Sequence, residues 1–341
     1  MPRMRFSLRK MLPLFLLGVL IILVMAAYIG VGDILPILRD VDIRFYLLAI
    51  GAQIVAILVW LTKWKILTNA INLDAKTHRM FPILLSGIFV NTVVPSARVG
   101  GVPLRAYMFS RIGDISPDKS FATVAADRAL DGIPLVMIIF FALAMVLLTW
   151  SLPLYIILLL SLTAVLIAFV AITFIYVCLR PDPARRLVMW FIQRLRRIIE
   201  RFRPIDYVEE KAEDFMKGFS RGARTILRKK RYVAPALTLS FVYWLLAIVR
   251  MYLVFLALDQ TISFGAIGIA ITVGLALHAM PIPGGLGFVE GAYVLIFSAA
   301  GVPLQVSLTA ALLDRGISFW FTGLISGSGI VWSGHKLFKE D

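Results

Sequence analysis

The chain has 341 residues, 60% of them hydrophobic, with a mean hydropathy of +0.89 and a formal net charge of +15. Several apolar runs near twenty residues long exclude an ordinary soluble domain and indicate a polytopic membrane protein, because about 20 apolar residues in a helix cross the hydrocarbon. A single cysteine, Cys178, excludes an intrachain disulfide or a thiolate metal centre.

In chain order, residues 11–30, 45–64, 121–149, 154–179, 233–258 and 302–332 each read as a span. The first has a basic flank (Arg3, Arg5, Arg9, Lys10) like a secretory signal, but it is long enough to cross and shows no small-residue cleavage site, so it reads as a retained helix. Residues 81–109 and 264–298 are apolar but interrupted by glycine, proline and charge, which marks them as re-entrant helical hairpins. The interruptions resemble each other about 187 residues apart: PSARVGGVPLRAYMFSRIGDISPDKSFATVAADR (95–128) and PIPGGLGFVEGAYVLIFSAAGVPLQVSLTAALLDR (281–315). Each runs proline, glycine pair, charge, tyrosine, proline, Asp-Arg. The Gly-Gly and Asp-Arg doublets occur once per copy and nowhere else.

Lys and Arg concentrate on cytoplasmic loops. Residues 180–232 carry sixteen Lys and Arg against seven Asp and Glu, the N-terminus carries four, and the stretch from Lys63 to Arg79 carries Lys63, Lys65, Lys76 and Arg79; all three are expected in the cytoplasm. Traced that way, the first hairpin enters from the cytoplasm and the second from outside. The reading is an all-α membrane protein with six full spans and two hairpins arranged as an inverted repeat. Residues 1–150 form one half and residues 151–341, with the basic loop 180–232, the other. Both termini are cytoplasmic, in the cell membrane. Irregular backbone at membrane depth is tolerated only inside protein or around a wet cavity, so the hairpin tips are expected to meet around a polar cavity.

Asp127 lies some eight to ten residues into its span, roughly 12 to 15 Å deep, and Asp131 shares its helix face while Arg128 projects about 100° away. Asp314 and Arg315 reach comparable depth from the other side. With Arg98 and Arg105 from the first hairpin and Glu290 from the second, four arginines and four carboxylates stand at membrane depth, each costing roughly 2.5 to 3.5 kcal/mol at the centre of an isolated helix. One reading is buried glue, since the charges sum to zero. The other is a site: Gly101 and Gly285, in the doublets, let backbone approach a ligand, and arginine suits bidentate capture of phosphate. The carboxylates would receive an ammonium on the same head group, restrain the arginines of an empty site, or carry coupled protons.

The segments NTVVPSARVGGVPLRAY (91–107), AADRALDG (125–132) and PIPGGLGFVEGAY (281–293) resemble the membrane domain of lysylphosphatidylglycerol synthases, a family of flippase-like integral membrane proteins. With the hydropathy pattern the likeness covers nearly the whole chain. It implies movement of a phospholipid or lipid-linked molecule between leaflets, and it marks Arg98, Gly101, Arg105, Asp127, Arg128, Gly285 and Glu290 as motif positions. Two-domain members carry a soluble aminoacyl-transferring domain after the membrane part; here the sequence stops at Asp341, and synthase activity is not expected.

Between residues 183 and 204, aromatic and aliphatic residues alternate with arginines as in an interfacial helix, which would attract anionic lipid. His278 reads as a proton-coupling group or a hydrogen-bonding helix residue, and Asp40 to Asp42 as a polar turn. No Walker loop, serine elbow or histidine metal cluster is present. The expected role is therefore flipping or scrambling of a phosphate-bearing lipid head group, without enzymatic activity, metal, cofactor or nucleic acid. The rivals are an intramembrane transferase using a polyprenyl-phosphate donor and a non-transporting assembly partner.

Overall fold

A computed structural model describes residues 8–73, 75–94, 100–149, 154–179, 181–194, 196, 204–278, 280 and 282–337. Those residues are built of helices and connections, with no strand among them. The helices are α1 (Leu8–Ile29), α2 (Val31–Arg39), α3 (Ile43–Asn69), α4 (Thr77–Val93), α5 (Gly101–Ile112), α6 (Pro117–Thr149), α7 (Leu154–Leu179), α8 (Pro181–Arg194), α9 (Ile205–Arg228), α10 (Lys230–Ala257), α11 (Phe264–Leu277), α12 (Phe288–Ala299), α13 (Leu304–Arg315) and α14 (Thr322–Leu337). A 3₁₀ turn, Pro283–Gly285, precedes α12, and a π-helical segment, Gly316–Phe321, joins α13 to α14.

Four pairs of helices start 187 residues apart: α3 and α10 at Ile43 and Lys230, α4 and α11 at Thr77 and Phe264, α5 and α12 at Gly101 and Phe288, and α6 and α13 at Pro117 and Leu304. The repeat therefore extends beyond the two motifs to the helices themselves. Its register differs from that of the glycine doublets. Gly101 opens α5, whereas Gly284 and Gly285 sit in the turn three residues before α12 begins.

The two units run in opposite directions. Helices α3 and α10 pack antiparallel along their whole length, with the Asp42 N–H donating to Ala257 O (2.8 Å) at one end and Lys229 Nζ to Ala70 O (2.7 Å) at the other. Shifting the first pair by 187 turns it into the second, as a two-fold axis through this helix pair requires. Each unit's last helix packs on the other unit's first hairpin arm: α6 on α11, where Gly265 meets Met145, and α14 on α4, where Gly329 meets Leu85. The small residues at these crossings let the backbones close up where lipid offers no hydrophobic gain.

Local chemistry sets the boundaries. Asp42, in the triplet read as a polar turn, caps α3 by accepting from the Arg44 N–H (2.8 Å), and Ser263 caps α11 through the Ala266 N–H (3.2 Å). Helices α4 and α5 fold back on each other because Gly101 carries no side chain; a Cβ there would lie 2.9 Å from both Asn91 Oδ1 and the Gly87 carbonyl carbon.

By length and composition, three helices among the described residues can cross a membrane: Ile43–Asn69, Pro117–Leu148 and Lys230–Ala257. A fourth is formed if Phe15–Ile29 and Val31–Arg39 act together, although they bend by 94° at Gly30. The expected span over residues 302–332 is divided, because the π-helical segment separates α13 from α14.

The basic stretch 180–232 contains α8, within the part expected as an interfacial helix, and α9, which the reading as a loop does not include. Met216, Phe219 and Ala223 of α9 pack on Ala122, Ala125 and Ala129 of α6, and Ile226 on Ala126 and Leu130. Helix α6 has 33 residues, about 50 Å, well beyond a hydrocarbon thickness of about 30 Å. Its first third is thus covered by α9, and Asp127 belongs to this covered part.

Candidate functional site

The intramembrane charges form two clusters rather than one. In the first, Asp127 is fully buried: its Oδ2 accepts from Trp60 Nε1 (2.8 Å) and Arg105 Nη1 (3.0 Å), while Lys63 Nζ stands 2.9 Å from Oδ1 as an ion pair without hydrogen-bond alignment. Lys63 also bonds Asp131, whose Oδ1 accepts from Ser240 Oγ (2.9 Å). The shared helix face read for Asp127 and Asp131 is what lets one lysine bridge both. Arg128 is half-buried, with its guanidinium 4.6 Å from the Trp60 ring centroid. Arg105 lies over the neighbouring indole of Trp64 at 4.3 Å.

This cluster is incompletely satisfied. Arg105 is 0% exposed, yet its Nε and Nη2 have no hydrogen-bond partner, and neither has Arg128 Nε. A buried donor without a partner costs about 1 to 3 kcal/mol, and more when charged. Three cations (Lys63, Arg105, Arg128) face two carboxylates (Asp127, Asp131).

The second cluster is balanced. Arg250 Nε donates to Asp314 Oδ1 (2.8 Å) and its Nη1 to Gln53 Oε1 (2.6 Å), while Ser318 Oγ donates to Asp314 Oδ2 (3.3 Å). Arg315 Nε donates to Glu290 Oε1 (2.7 Å) and its Nη2 to Gly284 O (2.7 Å). Glu290 Oε2 accepts from the Gly287 N–H (2.7 Å), reaching back to the N-cap of α12 as the acid of a capping box does. Gly284, Gly285 and Gly287 have φ of 59°, 66° and 82°, a region open to glycine and strained for other residues. Phe15 and Ile22 of α1 close over this tip against Ile282, Leu286 and Phe319.

Gln53 and Lys63 are ten positions apart on α3, as are Ser240 and Arg250 on α10, so the clusters lie about 15 Å apart along the central helix pair. The expected convergence around one wet cavity is not met, because the aspartates are drawn to cations supplied by α3 or α10 and Glu290 to Arg315 of α13. Two clefts open on the described surface, of about 480 and 540 Å³, and no residue of either cluster lines them. The larger is lined by Ala106 and Tyr107, the two residues that follow Arg105 on α5.

Of the residues expected at the site, Arg105, Asp127, Arg128 and Asp131 come together, as do Glu290, Asp314 and Arg315. Gly101 holds the first hairpin, its N–H donating to Asn91 Oδ1 (2.8 Å), and Gly285 belongs to the second tip. Arg98 lies outside the described residues. His278 bonds within its own chain turn, Nδ1 lying 2.5 Å from Gly274 O.

Lys63, Arg250, Gln53 and Trp60 were not foreseen. Lys63, which charge counting groups with the basic stretch running to Arg79, is 1% exposed inside the bundle. The signal was in the spacing: Lys63 precedes Asp127 by 64 positions, and Arg250 precedes Asp314 by the same 64.

The family model described as the lysylphosphatidylglycerol synthase TM region matches residues 15–326. A UPF0104 membrane protein of Methanothermobacter thermautotrophicus is 30% identical over 328 residues, covering 96% of both chains. UPF0104 membrane proteins of Pyrococcus horikoshii (27% over 318 residues, 92% of this chain and 94% of the other) and Methanocaldococcus jannaschii (27% over 323 residues, 93% of each) are also similar.

Proposed function

This chain belongs to the lysylphosphatidylglycerol synthase TM region family of membrane proteins, and from that premise we propose that it carries a phosphate-bearing lipid head group between leaflets. In this reading α1, α3, α6, α7, α10 and the consecutive α13–α14 segment cross the cell membrane, with both termini cytoplasmic. The hairpins α4–α5 and α11–α12 enter from opposite faces. The acyl or isoprenoid chains stay in lipid, and no covalent chemistry is performed.

One observation carries the proposal: a wholly buried arginine, Arg105, keeps two guanidinium donors without partners beside a second arginine with another. A phosphate brings several acceptor oxygens and negative charge, which matches those orphan donors and the excess cation. Asp127 and Asp131 then act as the internal counter-anions of the empty state, and an arriving phosphate takes over Arg105 from Asp127. The cleft beside Tyr107 supplies an approach along α5. The opposed repeats, meeting along α3 and α10, supply two packings of one core, as alternating access requires.

The second cluster fits the rival idea of buried glue, since Glu290 and Arg315 stitch the hairpin tip to α13 with every oxygen of Glu290 engaged.

The test is leaflet exchange of fluorescent phosphatidylglycerol after reconstitution into liposomes. The native chain is expected to accelerate exchange over protein-free vesicles. Arg105→Gln is expected to lose at least ten-fold of that acceleration, and Arg105→Lys most of it, because an ammonium cannot make the paired contacts of a guanidinium. Native-like exchange in Arg105→Gln, or no acceleration by the native chain, sinks the reading.

A further inference from the structure

Away from both clusters, α8 and α9 enclose a cleft of about 480 Å³ in which Lys217, Arg221, Arg224 and Arg228 form one stripe along α9 and Arg185 of α8 faces them. The spacings of four, three and four residues put all four cations on one helix face. The next face, Met216, Phe219, Ala223 and Ile226, is packed on α6 and fixes how the stripe is presented. Like charges three and four apart weaken a helix, so the stripe is a standing electrostatic cost in the empty protein. A loop that only needed positive charge to set topology would meet that need with charges placed anywhere.

Among the described residues, Glu213 supplies counter-charge at one end of the stripe. Glu213 accepts from Arg185 Nη2 (2.5 Å) and pairs with Lys217 (3.3 Å), whereas Arg221 and Arg228 stand in no ion pair among the described residues. Among the described residues, no carboxylate lines the cleft itself. The surroundings are those of a lipid surface. Helix α7, which packs on α8 and α9, exposes Leu162, Leu166, Phe169 and Val170 along its length and leads directly into α8, where Trp190 is exposed. An exposed aromatic ring on α8 suits the level where hydrocarbon gives way to head groups.

The geometry points to a dedicated site for an anionic, phosphate-bearing lipid head group in the α8–α9 cleft, held by Arg185, Arg221, Arg224 and Arg228 with its chains against α7. Its occupancy cancels the repulsion along α9 and so fastens α9 to α6, which carries Asp127. The site stands apart from Arg105 and is independent of whether the chain moves lipid.

The test uses the full chain in neutral maltoside micelles, titrated with phosphatidic acid, phosphatidylcholine or inorganic pyrophosphate, with bound molecules counted by native mass spectrometry. One phosphatidic acid is expected to bind saturably and phosphatidylcholine not at all. The double variant Arg221→Gln/Arg228→Gln, at exposed positions, is expected to bind at least ten-fold more weakly. Arg186→Gln, an exposed α8 arginine outside the cleft, is expected to bind as the native chain does. Equal binding by the double variant, or an equal loss in Arg186→Gln, overturns the site in favour of diffuse surface charge. Pyrophosphate binding without phosphatidic acid binding overturns the lipid assignment in favour of a soluble anion.

Discussion

Set side by side, the two charge clusters share a backbone plan and differ in what they leave unfinished. Lys63 and Arg250 occupy matching positions on α3 and α10, and Asp127 and Asp314 matching positions on α6 and α13, so each unit contributes one cation–carboxylate pair in the same register. The sign of the hairpin contribution is reversed: α5 offers Arg105 to Asp127, whereas α12 offers Glu290 to Arg315. Four positions beyond each aspartate, the first unit has Asp131 and the second has Ser318. Every charge in the second cluster is matched, and its hairpin tip is pinned. The first keeps a surplus cation and orphan guanidinium donors. A duplicated scaffold thus holds one fastener and one site with spare capacity for an anion.

The largest way to break this comparison is Asp127→Asn. It leaves Lys63 and Arg105 buried with one carboxylate, Asp131, between them, and removing one member of a buried pair costs about 3 to 5 kcal/mol. Asp314→Asn is expected to cost less, because Arg250 keeps its bond to Gln53. Equilibrium unfolding in mixed micelles of the two variants checks this. A cost for Asp314→Asn equal to or above that of Asp127→Asn would contradict the assignment of the first cluster as the electrostatically strained one.

Glu290→Gln comes next. The amide oxygen still accepts from the Gly287 N–H, so the cap of α12 survives, but Arg315 loses its counter-charge and keeps only Gly284 O and the Phe319 face, 4.8 Å away. Hydrogen bonds to charged groups contribute about 1.5 to 3 kcal/mol, and a loss in that range is expected. Hydrogen exchange at residues 284–290 sharpens the point: a fastener predicts faster exchange at this tip and unchanged exchange at α5. Equal acceleration in both hairpins would show the two clusters to be one coupled unit.

The sequence made the helical class and the breaks within its apolar runs legible, because glycine, proline and charge inside such runs have few structural uses. It misplaced Lys63, since a lysine near the end of a span reads the same whether it reaches water or a buried carboxylate 64 positions away. Beyond the interfacial helix of residues 183–204 it showed the basic stretch as loop because charge dominates there, although Met216, Phe219, Ala223 and Ile226 have the spacing of a helix face. It aligned the glycine doublets, which are neighbours in chemistry but not in register, and so overlooked the exact offset of the helices that pairs Lys63 with Arg250. The division into two clusters could not be read from depth alone, since depth along a helix does not say which neighbouring helix supplies the partner.

The smallest expected effect is that of Asp131→Ser, which gives the first cluster the residue found at the matching place in the second. Lys63 then retains Asp127 as Arg250 retains Asp314, and Ser240 loses an acceptor. A loss of about 1 kcal/mol is expected, the scale of one net hydrogen bond, because the paired charge persists. Combined with Asp127→Asn, the same change removes the last carboxylate facing Lys63. The cost of the double variant is then expected to exceed the sum of the two single costs, because the two residues share a partner. Additive costs would mean that Lys63 is not balanced jointly by the two aspartates, and the asymmetry between the clusters would rest on Arg105 and Arg128 alone.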